Sequence, residues 1–435
     1  MKDSGYVWIG KVPENWNASK IKYHLKRKEL KNPGNMKVLS VYREYGVIPK
    51  DSRDENHNVT SEDTSKYKYV KPGMLVINKM KAWQGSMGIS EYEGIVSPAY
   101  FIYEFTDKLL YGRYIHYLLR NVYKDEFRRI SGGIREGQWD LPAEGFESEF
   151  IYLPTLGEQK KIADYLDEKC NEIDSLTSDI QTEIDILEQY KKTVITEAVT
   201  KGLNSKVKMK DSGVRWIGEI PEHWSFPKIT NVLDYQHPYP IGDGDHGSIK
   251  ADDYVEKGIP FIRVQNLGFA TELNLDNVVY ITEEQNKTIE NSTLYPNDIL
   301  FAKTGATIGK VGIVPESIAK ANTTSHVGKI TVSREIVPKY IFYMLSSSIG
   351  YKQFWDIAAQ KTTRPELSID EIKTIHVLLP GTKGEQLQIV KYLDDKCKKV
   401  DETVALKKEQ LEILRNYKKS IIYEYVTGKK EVPLS

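Results

Sequence analysis

Apolar and aromatic residues recur at alternating steps of three and four along one long stretch of the chain: Ile162, Leu166, Cys170, Ile173, Leu176, Ile180, Ile184, Leu187, Tyr190, Val194 and Ala198. That period is the stripe of an amphipathic helix with a coiled-coil seam. No proline interrupts it from Gly157 to Gly202. At about 1.5 Å per residue, some 40 residues make a rod on the order of 60 Å. The ladder returns at Ile389, Leu393, Cys397, Val400, Thr403, Lys407, Leu411, Leu414, Tyr417, Ile421 and Tyr425. Thr403 and Lys407 break this second seam, which predicts looser packing there or a shift onto Val404 and Leu406. Two such rods in one chain predict an antiparallel intramolecular coiled coil that buries both stripes. Cys170 and Cys397 fit it as small buried seam residues.

The helices belong to a larger repeat. MKDSGYVWIGKVPENW at Met1 to Trp16 returns as MKDSGVRWIGEIPEHW at Met209 to Trp224, identical at 11 of 16 positions. GEQKKIADYLDEKC at Gly157 to Cys170 returns as GEQLQIVKYLDDKC at Gly384 to Cys397. Between anchor and helix, the bodies Asn17 to Tyr152 and Ser225 to Leu378 share only faint echoes. Neutral drift after duplication would leave that pattern; so would a function that needs two specificities on two equal scaffolds.

Within the bodies, VKPGMLVINKM (Val70 to Met80) and LYPNDILFAKTGATIGKVGIV (Leu294 to Val314) read as a turn followed by a strand. Tyr114 to Leu119 and Tyr340 to Leu345 read as short helices. The bodies are therefore expected to be α+β domains of one fold with different surface loops. The whole reads as two similar α+β domains separated by two long antiparallel coiled-coil helices, with an internal pseudo-two-fold repeat. The expected divisions are residues 1–154, anchor and first body; 155–208, first helix and linker; 209–380, second anchor and body; 381–427, second helix; and 428–435, a tail.

Composition narrows the class. At 435 residues with 40% hydrophobic content, the chain is long enough for two or three globular domains. It shows no apolar run of membrane-spanning length and no signal-peptide pattern, so a cytoplasmic location is expected. Two cysteines make no disulfide framework or zinc spacing, and a reducing compartment suits them. The 61 basic and 61 acidic residues cancel. Net neutrality argues against a free-standing nucleic-acid binder, but not against one with clustered charge or one that binds DNA with larger partners.

Catalytic readings fail on their motifs. A DNA adenine methyltransferase needs a target-base motif containing Pro-Pro, and no Pro-Pro occurs. TGATIGKV, Thr304 to Val311, resembles a phosphate loop, with Thr304 in the place of the first glycine and Val311 in the place of Ser or Thr. Glu371 and Lys373 give the end of a nuclease motif without a convincing upstream Pro-Asp. No catalytic residue, metal ligand or cofactor is expected.

The anchor xWxGxxPxxW, the GEQxxIxxYLDxK helix start, the later Tyr-Lys-Lys segments (Tyr190 to Thr193, Tyr417 to Ser420) and the order body, helix, body, helix together resemble type I restriction-modification specificity subunits. The resemblance covers essentially the whole chain. It implies that each body is a target-recognition domain reading one half of a bipartite site in double-stranded DNA. It further implies that the helices set the spacer and dock two methyltransferase (modification) subunits, with restriction subunits carrying ATP-dependent translocase and nuclease activity joining in some assemblies. The alternative from another class is a non-catalytic coiled-coil adaptor whose two heads bind proteins.

Candidate DNA contacts follow from residue chemistry and that resemblance. Arg263, Gln265 and Asn266 offer planar forks for base edges, with Arg43 and Tyr45 in the matching place of the first body. Lys79, Lys81, Trp83 and Gln84 follow the first predicted strand, as Lys303, Thr304, Thr307 and Lys310 follow its counterpart. Later loops add Arg135, Gln138 and Trp139, and Lys361, Thr362, Thr363 and Arg364. Asn322, Thr323, Thr324 and Ser325 form a polar run suited to phosphates or bases. Each of these side chains has a solvated-loop alternative, and Trp83 and Trp139 a packing one. The anchor residues Trp8, Trp16, Trp216 and Trp224 are expected to be scaffold.

Overall fold

The computed structural model describes residues 1–43, 45–52, 63–133, 139–360 and 365–433. We number the elements that position the site. The strands are β1 (Leu25–Lys28), β2 (Leu75–Asn78), β3 (Met87–Ile89), β4 (Tyr100–Phe105), β5 (Ile241–Asp243), β6 (Ile299–Ala302), β7 (Val311–Ile313) and β8 (Val327–Ile330). The helices are α1 (Gly112–Asn121), α2 (Leu156–Lys201), α3 (Pro338–Ser346) and α4 (Lys383–Val426).

The two seams form helices of 46 and 44 residues, α2 and α4. Both start and stop by the same local chemistry. Thr155 Oγ1 accepts the Glu158 N–H at 3.3 Å, and Thr382 Oγ1 accepts the Glu385 N–H at 3.2 Å, so a Thr-x-x-Glu sequence satisfies an otherwise orphaned donor at each N-terminus. Just past each C-terminus stands a glycine with positive φ, Gly202 at 71° and Gly428 at 67°, the left-handed residue that commonly closes a helix.

Two compact units emerge, and each is discontinuous in sequence. One comprises Met1–Gln181 with Glu409–Ser435, the other Thr182–Lys408. In each, the start of one long helix lies antiparallel to the end of the other. In the first unit the rings of Tyr165 and Tyr425 meet at 4.7 Å and Asp174 pairs with Lys418. In the second, Glu183 pairs with Lys407 and Lys191 with Asp401. The first core joins Ile162, Leu166, Cys170 and Ile173 to Ile421, Ile422 and Val426. The second joins Ile389, Leu393 and Cys397 to Val194, Ile195 and Val199.

The seams differ in detail from the heptad reading. Leu176 and Tyr190 are exposed, whereas Lys191, beside Tyr190, is buried. At the break in the second seam, Val404 turns inward but Leu406 stays 61% exposed. Both cysteines are buried, and burial pushes the thiols up, that of Cys397 to about 11.

The heads share one sheet. In the first the strand order is β1–β4–β2–β3 and in the second β5–β8–β6–β7, every pairing antiparallel. Their additions differ. The first head carries a hairpin, Leu39–Tyr42 with Gly46–Pro49. The second carries a mixed sheet in which Ile259–Ile262 runs antiparallel to Val279–Ile281 and parallel to Asn322–Thr323.

Identical contacts fasten each head to the helices. Trp16 and Trp224 are fully buried, and their indole N–H groups donate to Glu158 at 3.2 Å and Glu385 at 3.0 Å. Gln159 accepts the Tyr111 N–H just before α1 at 2.8 Å, as Gln386 accepts the Val337 N–H just before α3 at 2.9 Å. Tyr117 of α1 donates to Asp167 at 2.6 Å, and Tyr343 of α3 to Asp394 at 2.7 Å. The GEQ and YLD segments repeat because their polar groups perform the same attachment twice. Trp16 and Trp224 are scaffold, as expected; Trp216 is instead 41% exposed.

Candidate nucleic-acid interface

In the first head, three separate segments meet beyond the ends of the sheet strands. Arg43 and Tyr45 occupy the turn of the hairpin, and Arg43 Nη2 donates to Gln84 Oε1 on the loop that follows β2. On that loop Trp83 holds its indole N–H against the Met80 carbonyl at 3.2 Å and packs on Trp139, ring centroids 5.5 Å apart. Lys79 is paired with Asp140 at 2.7 Å, tying the same two segments together, while Lys81 is exposed. The structure therefore gathers Arg43, Gln84, Lys79, Trp83 and Trp139 into one patch.

Sequence reasoning missed Arg128. Its guanidinium lies over both indoles, 5.7 Å from the Trp83 ring and 5.8 Å from that of Trp139. Stacking an arginine on an aromatic face holds its guanidinium at little entropic cost. No motif marks Arg128 in KDEFRRI; only the fold brings its helix beside the loop. Arg135 and Gln138 lie outside the described residues.

In the second head the loops after β5, β6 and Ile259–Ile262 converge with residues 322–326 and 365–367. The Ser325 N–H reaches the Asp245 carbonyl at 2.8 Å, Lys303 N–H the His326 carbonyl at 3.0 Å, and Gly305 N–H the Pro365 carbonyl at 2.9 Å. Arg263 is half-buried; it donates to the Asn277 carbonyl at 2.9 Å and sits 5.9 Å from the Tyr254 ring. Gln265 is exposed, and Thr307, Lys310, Thr324 and Ser325 are partly so.

Five residues expected to face outward do not. Asn266 is buried, accepting the Arg263 N–H at 2.8 Å and donating to the Asn274 carbonyl at 2.8 Å. Asn322 donates to Asn286 at 2.8 Å and accepts from Ser292 at 2.7 Å, and Thr323 donates to the Ile262 carbonyl at 2.8 Å. Lys303 is buried against the Asp243 carboxylate, and Thr304 is buried beside it. Buried polar groups must find partners inside the fold, and these five support the loops from beneath. Lys361, Thr362, Thr363 and Arg364 lie outside the described residues. Among the described residues, no group of His, Cys, Asp and Glu could hold a metal ion, and no helix is long and apolar enough to cross a membrane.

Residues 16–186 and 239–415 each match the family model described as the type I restriction modification DNA specificity domain. The chain belongs to that family. It is a type I specificity subunit, and its function is DNA target recognition. The MjaVIII type I restriction enzyme specificity subunit of Methanocaldococcus jannaschii is 25% identical over 97% of this chain and 94% of its own. The EcoBI specificity subunit of Escherichia coli is 28% identical over 66% of this chain and 60% of its own. A solved chain, from work on complex assembly and conformational transition of the type I R-M system, shares the fold with a TM-score of 0.68 at 14% identity, over 97% of this chain and 100% of that one. Nothing in these likenesses supports the protein-binding adaptor.

Proposed function

We propose that each head of this specificity subunit reads one half of a bipartite site in double-stranded DNA, that the paired helices set the spacing of the halves, and that the chain directs chemistry carried by other subunits. One observation carries the reading: the heads share their sheet order and their attachment to the helices but differ in the loops beyond the strands. Phosphate contacts position a protein on DNA, and base-edge contacts specify; equal scaffolds with unlike loops suit two different half-sites. Residues 1–154 and 209–380 are then the recognition domains. The outward-facing candidates are Arg43, Tyr45, Lys81, Trp83, Gln84, Arg128 and Trp139 in the first, and Arg263, Gln265, Thr307, Lys310, Thr324 and Ser325 in the second.

The partners are two methyltransferase subunits, with restriction and translocase subunits joining in some assemblies. Support for two equal partners lies on the helices. Ile186 and Tyr190 are exposed at i and i+4 on α2, and Ile413 and Tyr417 are exposed at the same repeat positions on α4. Exposed apolar pairs at matching sites suit two copies of one partner. The chain itself lacks the target-base motif of an adenine methyltransferase and is read as non-catalytic.

Binding-site selection by the assembled enzyme from a random-sequence duplex library tests this. Arg43→Ala is expected to relax one half-site only and Arg263→Ala the other only, each by roughly 1 to 3 kcal/mol of discrimination if the contact is bidentate to guanine. A single substitution that alters both halves contradicts the two-head reading.

A further inference from the structure

Helix α1 and its repeat α3 share four of seven residues in YIHYLLR from Tyr114 and YIFYMLS from Tyr340. The shared tyrosines make the scaffold contacts: Tyr114 donates to the Val426 carbonyl at 3.0 Å, Tyr340 to that of Leu378 at 2.8 Å, and Tyr117 and Tyr343 to the long helices. Two of the unlike positions are His116 and Arg120, where α3 has Phe342 and Ser346. Four residues apart, His116 and Arg120 share one helix face.

That face meets the two loops of the first-head patch. A Cβ at Gly46 or at Gly88 would come within 3.2 Å of His116 Cε1, and one at Gly85 within 3.0 Å of the Arg120 carbonyl. Gly46 belongs to the hairpin that carries Arg43 and Tyr45; Gly85 and Gly88 follow Trp83 and Gln84. Bare backbone lets the helix approach both loops closely.

The polar contacts run outward in sequence. Arg120 Nη1 faces His116 Nε2 at 2.6 Å. A guanidinium only donates, so this nitrogen accepts and the imidazole is neutral; the other ring nitrogen, Nδ1, faces the Ile89 N–H at 3.4 Å. Burial, with Arg120 adding to it, pushes His116 down to about 3, which keeps that acceptor in place at neutral pH. The other arm of Arg120 donates to the Arg43 carbonyl, and Arg43 donates to Gln84.

Resting on the reading of these loops as DNA-facing, we infer that His116 and Arg120 are positioning residues for specificity: they lock the Arg43 turn against the Gln84 loop and so set the reading geometry of the first half-site. Among the described residues of the second head, Phe342 and Ser346 form no such relay. A helix used twice as scaffold thus carries, at its unlike positions, a device for one head alone.

The test is binding-site selection from a random-sequence duplex library by the assembled enzyme carrying the full chain with His116→Phe, Arg120→Ser, His116→Gln, Arg43→Ala or Gln84→Ala. The first two copy the residues of the second head, and His116→Gln retains an acceptor for Arg120. His116→Phe and Arg120→Ser are expected to relax discrimination about tenfold at one or more bases of one half-site, with the other half-site and the thermal midpoint unchanged. His116→Gln should retain most of it. Relaxation of both half-sites together, or equal loss in His116→Gln and His116→Phe, would overturn the positioning role. So would unchanged selection in His116→Phe and Arg120→Ser while Arg43→Ala alters one half-site. If neither Arg43→Ala nor Gln84→Ala changes selection, the loops do not read DNA, and the broader reading falls with the inference.

Discussion

Lys191 holds Asp401 by both carboxylate oxygens at 2.7 Å, and the same pair recurs as Lys418 with Asp174 at 2.6 and 2.7 Å. Lys191 and Lys418 occupy the same position of the Tyr-Lys-Lys segments, and Asp174 and Asp401 the same position of the helix repeat. The repeat thus writes this interhelical ion pair once in each direction.

The two pairs differ in exposure, which sets their worth. Asp401→Ala strands Lys191, only 6% exposed, and a buried donor left without its partner costs about 1 to 3 kcal/mol. Asp174→Ala leaves Lys418, 30% exposed, able to reach water, and is expected to cost about 1 kcal/mol or less. Denaturant unfolding of the two variants checks the order; equal losses would show that burial of Lys191 does not govern the pair.

The glycines that close the helices lie against the anchor tryptophans with unequal clearance. At Gly202 a Cβ would stand 3.3 Å from Trp224; at Gly428 it would stand 2.5 Å from Pro13 and 2.9 Å from Trp16. Both substitutions to alanine carry the left-handed penalty of about 1 to 2 kcal/mol. Gly428→Ala adds overlap worth roughly 1 to 3 kcal/mol more. Thermal midpoints should therefore fall further for Gly428→Ala than for Gly202→Ala.

Glu149 gives a pH signature. Burial, and then the nearby charge of Glu126, raise its carboxyl above the ordinary carboxylate range, while Tyr6 donates to it at 3.1 Å. A folded-state value above the unfolded one means that the folded protein favours the protonated acid. Its stabilising contribution is full below the unfolded value and is lost as pH rises through the folded one. Glu149→Gln, neutral at every pH, should match the parent near pH 4 and exceed it in stability at pH 8. Stability curves that stay parallel across that range would refute the assignment.

Much of this architecture was legible in the sequence because it is repeated. The rods, the anchors and the shared attachment were marked by GEQ, YLD and the paired tryptophans, whose chemistry is local to the scaffold. The loops were less legible. Asn266, Asn322, Thr323, Lys303 and Thr304 have the composition of a DNA-facing surface, yet strand pairing and neighbouring turns draw them inward to Asn274, Asn286, Ile262 and Asp243. Arg128 and the His116–Arg120 face lie on helices remote in sequence from the loops they touch, so no local pattern announces them. Lys191 rather than Tyr190 turns inward because Asp401 awaits it, a pairing the apolar ladder does not encode.

The helices as ruler are the central claim. Each long helix begins in one compact unit and ends in the other, so inserting matched four-residue helical segments after Thr182 and after Lys408 lengthens both at facing levels beside the Glu183–Lys407 pair. Four residues add about 6 Å of helix, and duplex DNA advances about 3.4 Å per base pair. Mapping the sites methylated by the reconstituted enzyme is expected to show a spacer longer by one or two base pairs between unchanged half-sites. An unchanged spacer at full activity, or altered bases at the original spacing, would contradict it.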